Sequence, residues 1–161
     1  MIPYESVLDL IGNTPLVDVS RLSPNPNVRI IAKLENQNPF GSVKDRIAKA
    51  MVEDAEKHGR LMPGQTIVEP SSGNTGIALA AIAQIKGYPI KILMPTSVSI
   101  ERRQMLDIFG AEVILTPGEE GSNGAVARAI EMAKQNPDWC FLYQYANDAN
   151  ARAHYEGTGP E

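Results

Sequence analysis

From residue 66 onward the apolar positions change period again and again. Short runs with β-branched and aliphatic residues alternate with longer stretches whose apolar residues recur every three or four places. Residues 66–69 (Thr-Ile-Val-Glu) read as a strand, and a helix comes next over about 74–86. Residues 90–94 read as a strand, then 99–109 as a helix. Residues 112–115 are a strand, 121–135 a helix, and 141–145 a last strand. Strand, helix, strand repeated in this way builds a parallel sheet covered by helices, with the carboxyl ends of all strands on one edge. Pro70, Pro95 and Pro117 fall where strands end. Proline cannot donate to a ladder, so each marks the exit of the chain from the sheet. Ligands of such folds gather outside those ends.

Upstream the pattern is less regular. Residues 2–10 suggest a short helix, 16–19 and 28–34 suggest strands, and the Pro/Asn-rich residues 23–27 connect them. Asn38-Pro39-Phe40-Gly41-Ser42 breaks the chain, and residues 43–57 then have helical period with a stop at His58-Gly59. Ser42 is placed to cap that helix. No sequence repeat or low-complexity segment occurs.

Two stretches carry candidate chemistry. Lys44 falls in the first turn of the 43–57 helix, where the helix dipole disfavours a second positive charge. An uncharged lysine amine attacks aldehydes to form a Schiff base, the chemistry of cofactor-anchoring lysines. The plain alternative is a solvated lysine near a helix start. The second stretch is Ser71-Ser72-Gly73-Asn74-Thr75-Gly76, directly after a strand and opening an Ala/Ile/Leu-rich helix. Free N–H groups at that helix start, with the hydroxyls of Ser71, Ser72 and Thr75, would take a carboxylate or phosphate. Gly73 lets a ligand come close to the backbone. The alternative is an ordinary strand-to-helix turn. Neither the dinucleotide fingerprint nor the P-loop spacing is present.

Composition narrows the classes. The chain has 161 residues, 43% of them hydrophobic and 21% charged, as a globular domain with a sizeable core requires. A net charge of −4, with no basic cluster beyond a pair, excludes an electrostatic nucleic-acid surface. The single cysteine, Cys140, sits in an apolar run and reads as a core thiol rather than a disulfide or metal ligand. His58 reads as a C-terminal dipole partner of its helix, and His154 has no matching ligand, so no metal is expected. Arg102-Arg103 reads as a solvated face, and residues 118–124 as a solvated loop ahead of a helix. With neither a membrane-length apolar stretch nor a signal pattern, a cytoplasmic protein is expected.

Several motifs together resemble the cysteine synthases, β-replacement enzymes of the fold type II pyridoxal-phosphate group. Lys33-x-Glu35 followed by Asn38-Pro39-x-Gly41-Ser42-x-Lys44-Asp45-Arg46 resembles their cofactor-lysine signature. The 71–76 loop resembles their substrate-carboxylate loop. Ile11-Gly12-Asn13-Thr14-Pro15-Leu16, Met94-Pro95, Glu101-Arg102-Arg103, Tyr143-Gln144-Tyr145 and Gly157-Thr158-Gly159-Pro160-Glu161 come in the same order, and the B-type branch is most similar. Phe40 departs from the small residue usual there and puts the mouth of the site in question. Ser71 stands where Thr is usual.

The resemblance implies an α/β fold of three αβα layers, tryptophan-synthase-β-like, with an incomplete second domain. Residues 1–35 would pack on the larger domain, 36–146 would form the small domain, and 147–161 would begin the larger one. It implies Lys44 as anchor of pyridoxal 5'-phosphate and general base at Cα. Ser71, Ser72, Gly73, Asn74, Thr75 and Gln144 would hold the substrate carboxylate, and Asn74 would also contact the cofactor's ring hydroxyl. The reaction implied is replacement at Cβ of O-acetylserine or O-phosphoserine by sulfide or a carrier protein's thiocarboxylate. A homodimer is implied for the full-length enzyme. A cystathionine β-synthase, a serine/threonine dehydratase or a non-catalytic binding module are the alternatives. Family members are about twice this length, so the phosphate cup and the partner of the pyridine nitrogen would lie beyond residue 161. Residues 157–159 read as a helix lead-in rather than that cup. Cofactor binding by this polypeptide alone is expected to be weak or absent.

Overall fold

The computed structural model describes residues 3–161. Ile2, at the head of the suggested N-terminal helix, lies outside them. In place of the rest of that helix stands a 3-10 turn, Val7–Leu10, with Ser6 as its cap: Leu8 N–H donates to Ser6 Oγ at 3.1 Å and Ser6 N–H to Asp9 at 3.0 Å. Strands β1 (Leu16–Asp18) and β2 (Ile31–Lys33) form an antiparallel pair of their own. The second strand is shorter than expected because the chain before it is engaged elsewhere. Ile30 N–H donates to the Ser20 hydroxyl, and Val28 N–H closes a turn on Asn25.

The main sheet contains β3 (Ile67–Pro70), β4 (Ile90–Pro95), β5 (Glu112–Thr116) and β6 (Cys140–Phe141), all parallel, in the order β5-β4-β3-β6. The connecting helices are α2 (Asn74–Lys86), α3 (Ile100–Ile108) and α4 (Gly121–Gln135), and α1 (Lys44–Lys57) precedes the sheet. The expected alternation is thus present, with α2 and α4 at the expected bounds.

Alternate strand residues face opposite layers. Ile67, Ile92 and Met94 join Ile47, Met51, Leu79, Ile82 and Leu106 in one core with α1, α2 and α3. Val68 and Leu93 pack with Ala125 and Ala129 of α4 on the other side, against Trp139 and Phe141. The result is the three-layer α/β arrangement expected. Each fully buried aliphatic side chain contributes about 1.5–3 kcal/mol. Helix α2 carries small or aliphatic residues around nearly its whole circumference, which suits its place between α1 and the sheet. No helix among the described residues is long and apolar enough to cross a membrane.

Three local expectations need correction. The last strand ends at Phe141 instead of running to 145. Its partner strand reaches Pro70, which has no N–H, and the backbone N–H groups of Tyr143 and Gln144 turn to the Glu69 carboxylate instead. Gln144 therefore lies on a 3-10 turn, Gln144–Ala146. Residues 118–124 are not a loop, because a 3-10 turn (Gly118–Glu120) runs straight into α4. Residues 157 and 158 end a helical segment rather than lead into one: α5 (Asp148–Ala153) continues as a π-helical turn, His154–Thr158.

Candidate active site

The start of α1 is built by its own side chains. Gly41 adopts φ +83°, closing a turn on the Asn38 carbonyl at 2.8 Å. The N-cap of α1 is Val43, with no side-chain capping bond, rather than Ser42; from one residue earlier Ser42 Oγ still accepts from Lys44 N–H at 3.1 Å and donates to Asp45 at 3.3 Å. Asp45 also accepts from Phe40 N–H at 2.7 Å, so its carboxylate ties the entering turn to the helix. Burial raises the Asp45 carboxyl above its usual range, opposed by these hydrogen bonds. Asp45 went unremarked in the sequence except as part of a motif, although an acidic residue in a first turn is a recognisable signal. Phe40 does not line the cleft beside Lys44. Its ring packs edge-on against Phe109, 6.1 Å between centroids.

The 71–75 loop leaves β3 at the sheet's carboxyl edge. Ser71 Oγ accepts from Gly76 N–H at 2.9 Å and, more weakly, from Gly73 N–H at 3.4 Å. Ser71 is thus a brace inside the loop. A Cβ at position 76 would meet Ser71 O at 3.2 Å, a tight contact that glycine relieves. A Cβ at Gly73 would meet nothing within 4 Å, so that backbone faces open space. The N–H groups of Ser72, Asn74 and Thr75 have no acceptor among the described residues. Arg102 of α3 is not merely solvated, because it donates to the Ser72 carbonyl at 2.7 Å. Arg103 holds the Thr96 and Val98 carbonyls.

From the opposite side comes Gln144. Its amide oxygen accepts from the Thr75 hydroxyl at 2.9 Å, and its NH2 reaches the Pro70 carbonyl at only 3.4 Å. Beneath it lies Glu69, fully buried, which sequence reasoning took only as a strand residue. Burial pushes its carboxyl up to about 7, against the pull of the Gln144 and Tyr143 N–H groups. An acidic residue inside an apolar strand was the signal available.

These parts meet in one cleft of about 280 Å³. Lys44, Ser71, Ser72, Gly73, Asn74, Thr75 and Gln144 all line it, with Pro70 and Pro95 at the strand ends. Ser122, in the first turn of α4, and Tyr145 also line it and were not anticipated. The position agrees with the topology: β3 and β6 are neighbours in a parallel sheet, so the 71–75 loop and the 144–146 turn leave it side by side at the carboxyl edge.

Lys33, Glu35, Arg46 and Glu161 form an ion cluster outside the cleft, centred on the buried Arg46. Arg46 donates to both carboxylate oxygens of Glu35 (2.7 and 2.9 Å) and of Glu161 (2.7 and 2.7 Å), and to Thr14 Oγ at 3.2 Å. Lys33 Nζ is 2.7 Å from Glu161 and donates to the Thr14 carbonyl. The Arg46 guanidinium holds the Glu35 carboxyl down at about 2 and the Glu161 carboxyl well below its ordinary range. Cys140 is buried, and burial pushes its thiol up to about 11, as a core role requires.

Lys44 and a row of free amides share one cleft at the carboxyl edge of a parallel sheet, an arrangement able to take a carbonyl-bearing cofactor and an acid substrate. The donor set would fit pyridoxal phosphate, with Lys44 able to take its aldehyde and Asn74 its ring hydroxyl; Lys44 is the cationic side chain among the described lining residues. Residues 7–161 match the family model described as pyridoxal-phosphate dependent enzyme, and the chain belongs to that family. It is 48% identical over 158 residues to a cysteine synthase of a Flavobacterium species, covering 98% of this chain and 51% of that protein. It is 50% identical over 151 residues to cysteine synthase B of Escherichia coli (strain K12), covering 94% and 50%. A solved cysteine synthase from Entamoeba histolytica superposes with a TM-score of 0.90 at 42% identity, covering 96% of this chain and 47% of that one. The chain spans about half the length of the curated relatives it matches.

Proposed function

We propose that this chain is the N-terminal portion of a pyridoxal-phosphate-dependent cysteine synthase. The reaction replaces the acetate or phosphate group at Cβ of O-acetylserine or O-phosphoserine by sulfur, from sulfide or from a carrier protein's thiocarboxylate, to give L-cysteine. The full-length enzyme acts as a homodimer in the cytoplasm. The observation that carries the reading is the shared cleft of Lys44 and the 71–75 amides.

When bound, the cofactor supplies the electron sink that makes the substrate's Cα–H acidic. The chain's own residues do the rest. Lys44 Nζ would hold the cofactor through its aldehyde, and the same amine, once freed, would be the base placed to take the Cα proton. The N–H groups of Ser72, Asn74 and Thr75 and the Gln144 NH2 hold the substrate carboxylate, fixing which bond at Cα faces the lysine. Asn74, which lines the same cleft, would take the cofactor's ring hydroxyl. Pro70 and Pro95 end their strands at the cleft floor and keep it free of competing backbone donors.

Full-length protein incubated with pyridoxal phosphate is expected to develop an absorbance band near the edge of the visible that Lys44→Ala abolishes. A band that survives Lys44→Ala removes Lys44 as anchor. Turnover of acetylserine with sulfide, set against turnover with homocysteine, reads the acceptor.

A further inference from the structure

The chain between β6 and the 144–146 turn is held in a conformation that its own backbone does not favour. Tyr143 sits at φ +49°, a left-handed position that a non-glycine residue occupies at a cost. The hydrogen bonds account for it. The Leu142 carbonyl accepts from Asn147 Nδ2 at 2.8 Å, the Gln144 carbonyl from Asn150 Nδ2 at 2.9 Å, and the Tyr143 carbonyl from Ala146 N–H at 3.0 Å. The two N–H groups of this stretch both go to one side chain: Tyr143 N–H to Glu69 Oε2 at 2.7 Å and Gln144 N–H to Glu69 Oε1 at 3.0 Å. Glu69 is 0% exposed and stands one residue before Pro70, where the β3–β6 ladder can no longer continue.

We propose that Glu69 is a positioning residue of this site. Its buried carboxylate takes the Tyr143 and Gln144 N–H groups in place of the lost ladder, and so sets the Gln144 amide over the 71–75 loop as part of the carboxylate subsite. The inference rests on the reading of that loop as the substrate-carboxylate site. A neutral apolar residue at 69 would leave two buried N–H groups without acceptors. A glutamine there offers one oxygen and one NH2, so one of the two N–H groups faces a donor. Gln144 then loses its place against Thr75, although Lys44, carried on α1, keeps its own.

The test uses full-length enzyme loaded with pyridoxal phosphate. For Glu69→Gln the Lys44-dependent band is expected unchanged, KM for O-acetylserine is expected to rise about tenfold or more, and kcat to stay within about threefold. The half-saturation of the spectral change produced by L-serine is expected to move with KM. Gln144→Ala should give a similar rise, and the double variant should be no worse than Gln144→Ala alone, because Glu69 acts through Gln144. Values for Glu69→Gln within about twofold of wild type, additive losses in the double variant, or loss of the band in Glu69→Gln each overturn the proposal. If Glu69→Gln is not recovered folded, Glu69→Asp, which withdraws the carboxylate by one methylene, is read the same way. A wild-type enzyme without a Lys44-dependent band sinks the site reading itself and this inference with it, whereas a normal band with an unmoved KM sinks the inference alone.

Discussion

Single residues divide here into those that face the cleft and those that hold its frame. Arg46 belongs to the second kind. It lies close to Lys44 in sequence, yet its guanidinium turns away to Glu35, Glu161 and Thr14. Buried charges are retained only when paired, and removing one partner leaves the other costly. The sign of the pH effect follows from Glu35, whose folded carboxyl is lowered from 4.5 to about 2. Its contribution is fully present above about pH 4.5 and is lost as pH falls toward about 2. We expect Glu35→Gln to lower stability at neutral pH by about 1–2 kcal/mol, solvent screening part of the pair, and the gap to wild type to close as the pH is taken down through that window. Urea titrations at pH 7, 4 and 3 check it; a gap that stays constant with pH rules out the ion-pair origin. Lys33, Glu35 and Arg46 were legible as motif residues, but their division of labour from Lys44 was not. Successive residues in a helix point about 100° apart, and only packing decides which of them meets the cleft.

At the scale of elements, the long periodic segments were readable and the short ones were not. Neither α2 nor α4 starts with a side-chain cap; they have their expected bounds because turn and stop residues flank a long apolar pattern. Gly87 illustrates this: it ends α2 at φ +78°, with Tyr88 N–H returning to the Ala83 carbonyl at 2.8 Å. Gly87→Ala forces a Cβ into that left-handed position and is expected to cost about 1 kcal/mol, read as a lower denaturation midpoint with unchanged slope. Residues 141–145 misled because Phe-Leu-Tyr-Gln-Tyr has the composition of a strand. The competing acceptor, Glu69, lies more than seventy residues upstream, and no local pattern announces a contact of that range. The β2 strand was overread for a related reason, since Ser20 takes the Ile30 N–H that a longer ladder would have used.

Taken whole, the molecule has a tightly packed four-stranded body and a loosely covered two-stranded one. Ile67, Val68, Ile92 and Leu93 are fully buried, whereas Leu16, Val17 and Ile31 are 54%, 40% and 41% exposed. Opening free energy follows buried apolar contact. For this 161-residue chain by itself, hydrogen exchange is therefore expected to be at least about tenfold slower at β3 and β4 amides than at β1 and β2; equal protection would contradict it. The amino-acid sequence alone determined the alternation of strands and helices, the parallel sheet it implies, the helix start that carries Lys44 and the glycine-bearing turn after β3. Each of these is written in local periodicity and in residues with a single conformational meaning. Only the tertiary structure decided that Lys44 and the 71–75 amides share one cleft, that Gln144 stands on a turn over it, and that Glu69 lies beneath as its anchor. Those outcomes depend on hydrogen bonds between residues far apart in the chain, settled when the sheet order places β6 beside β3.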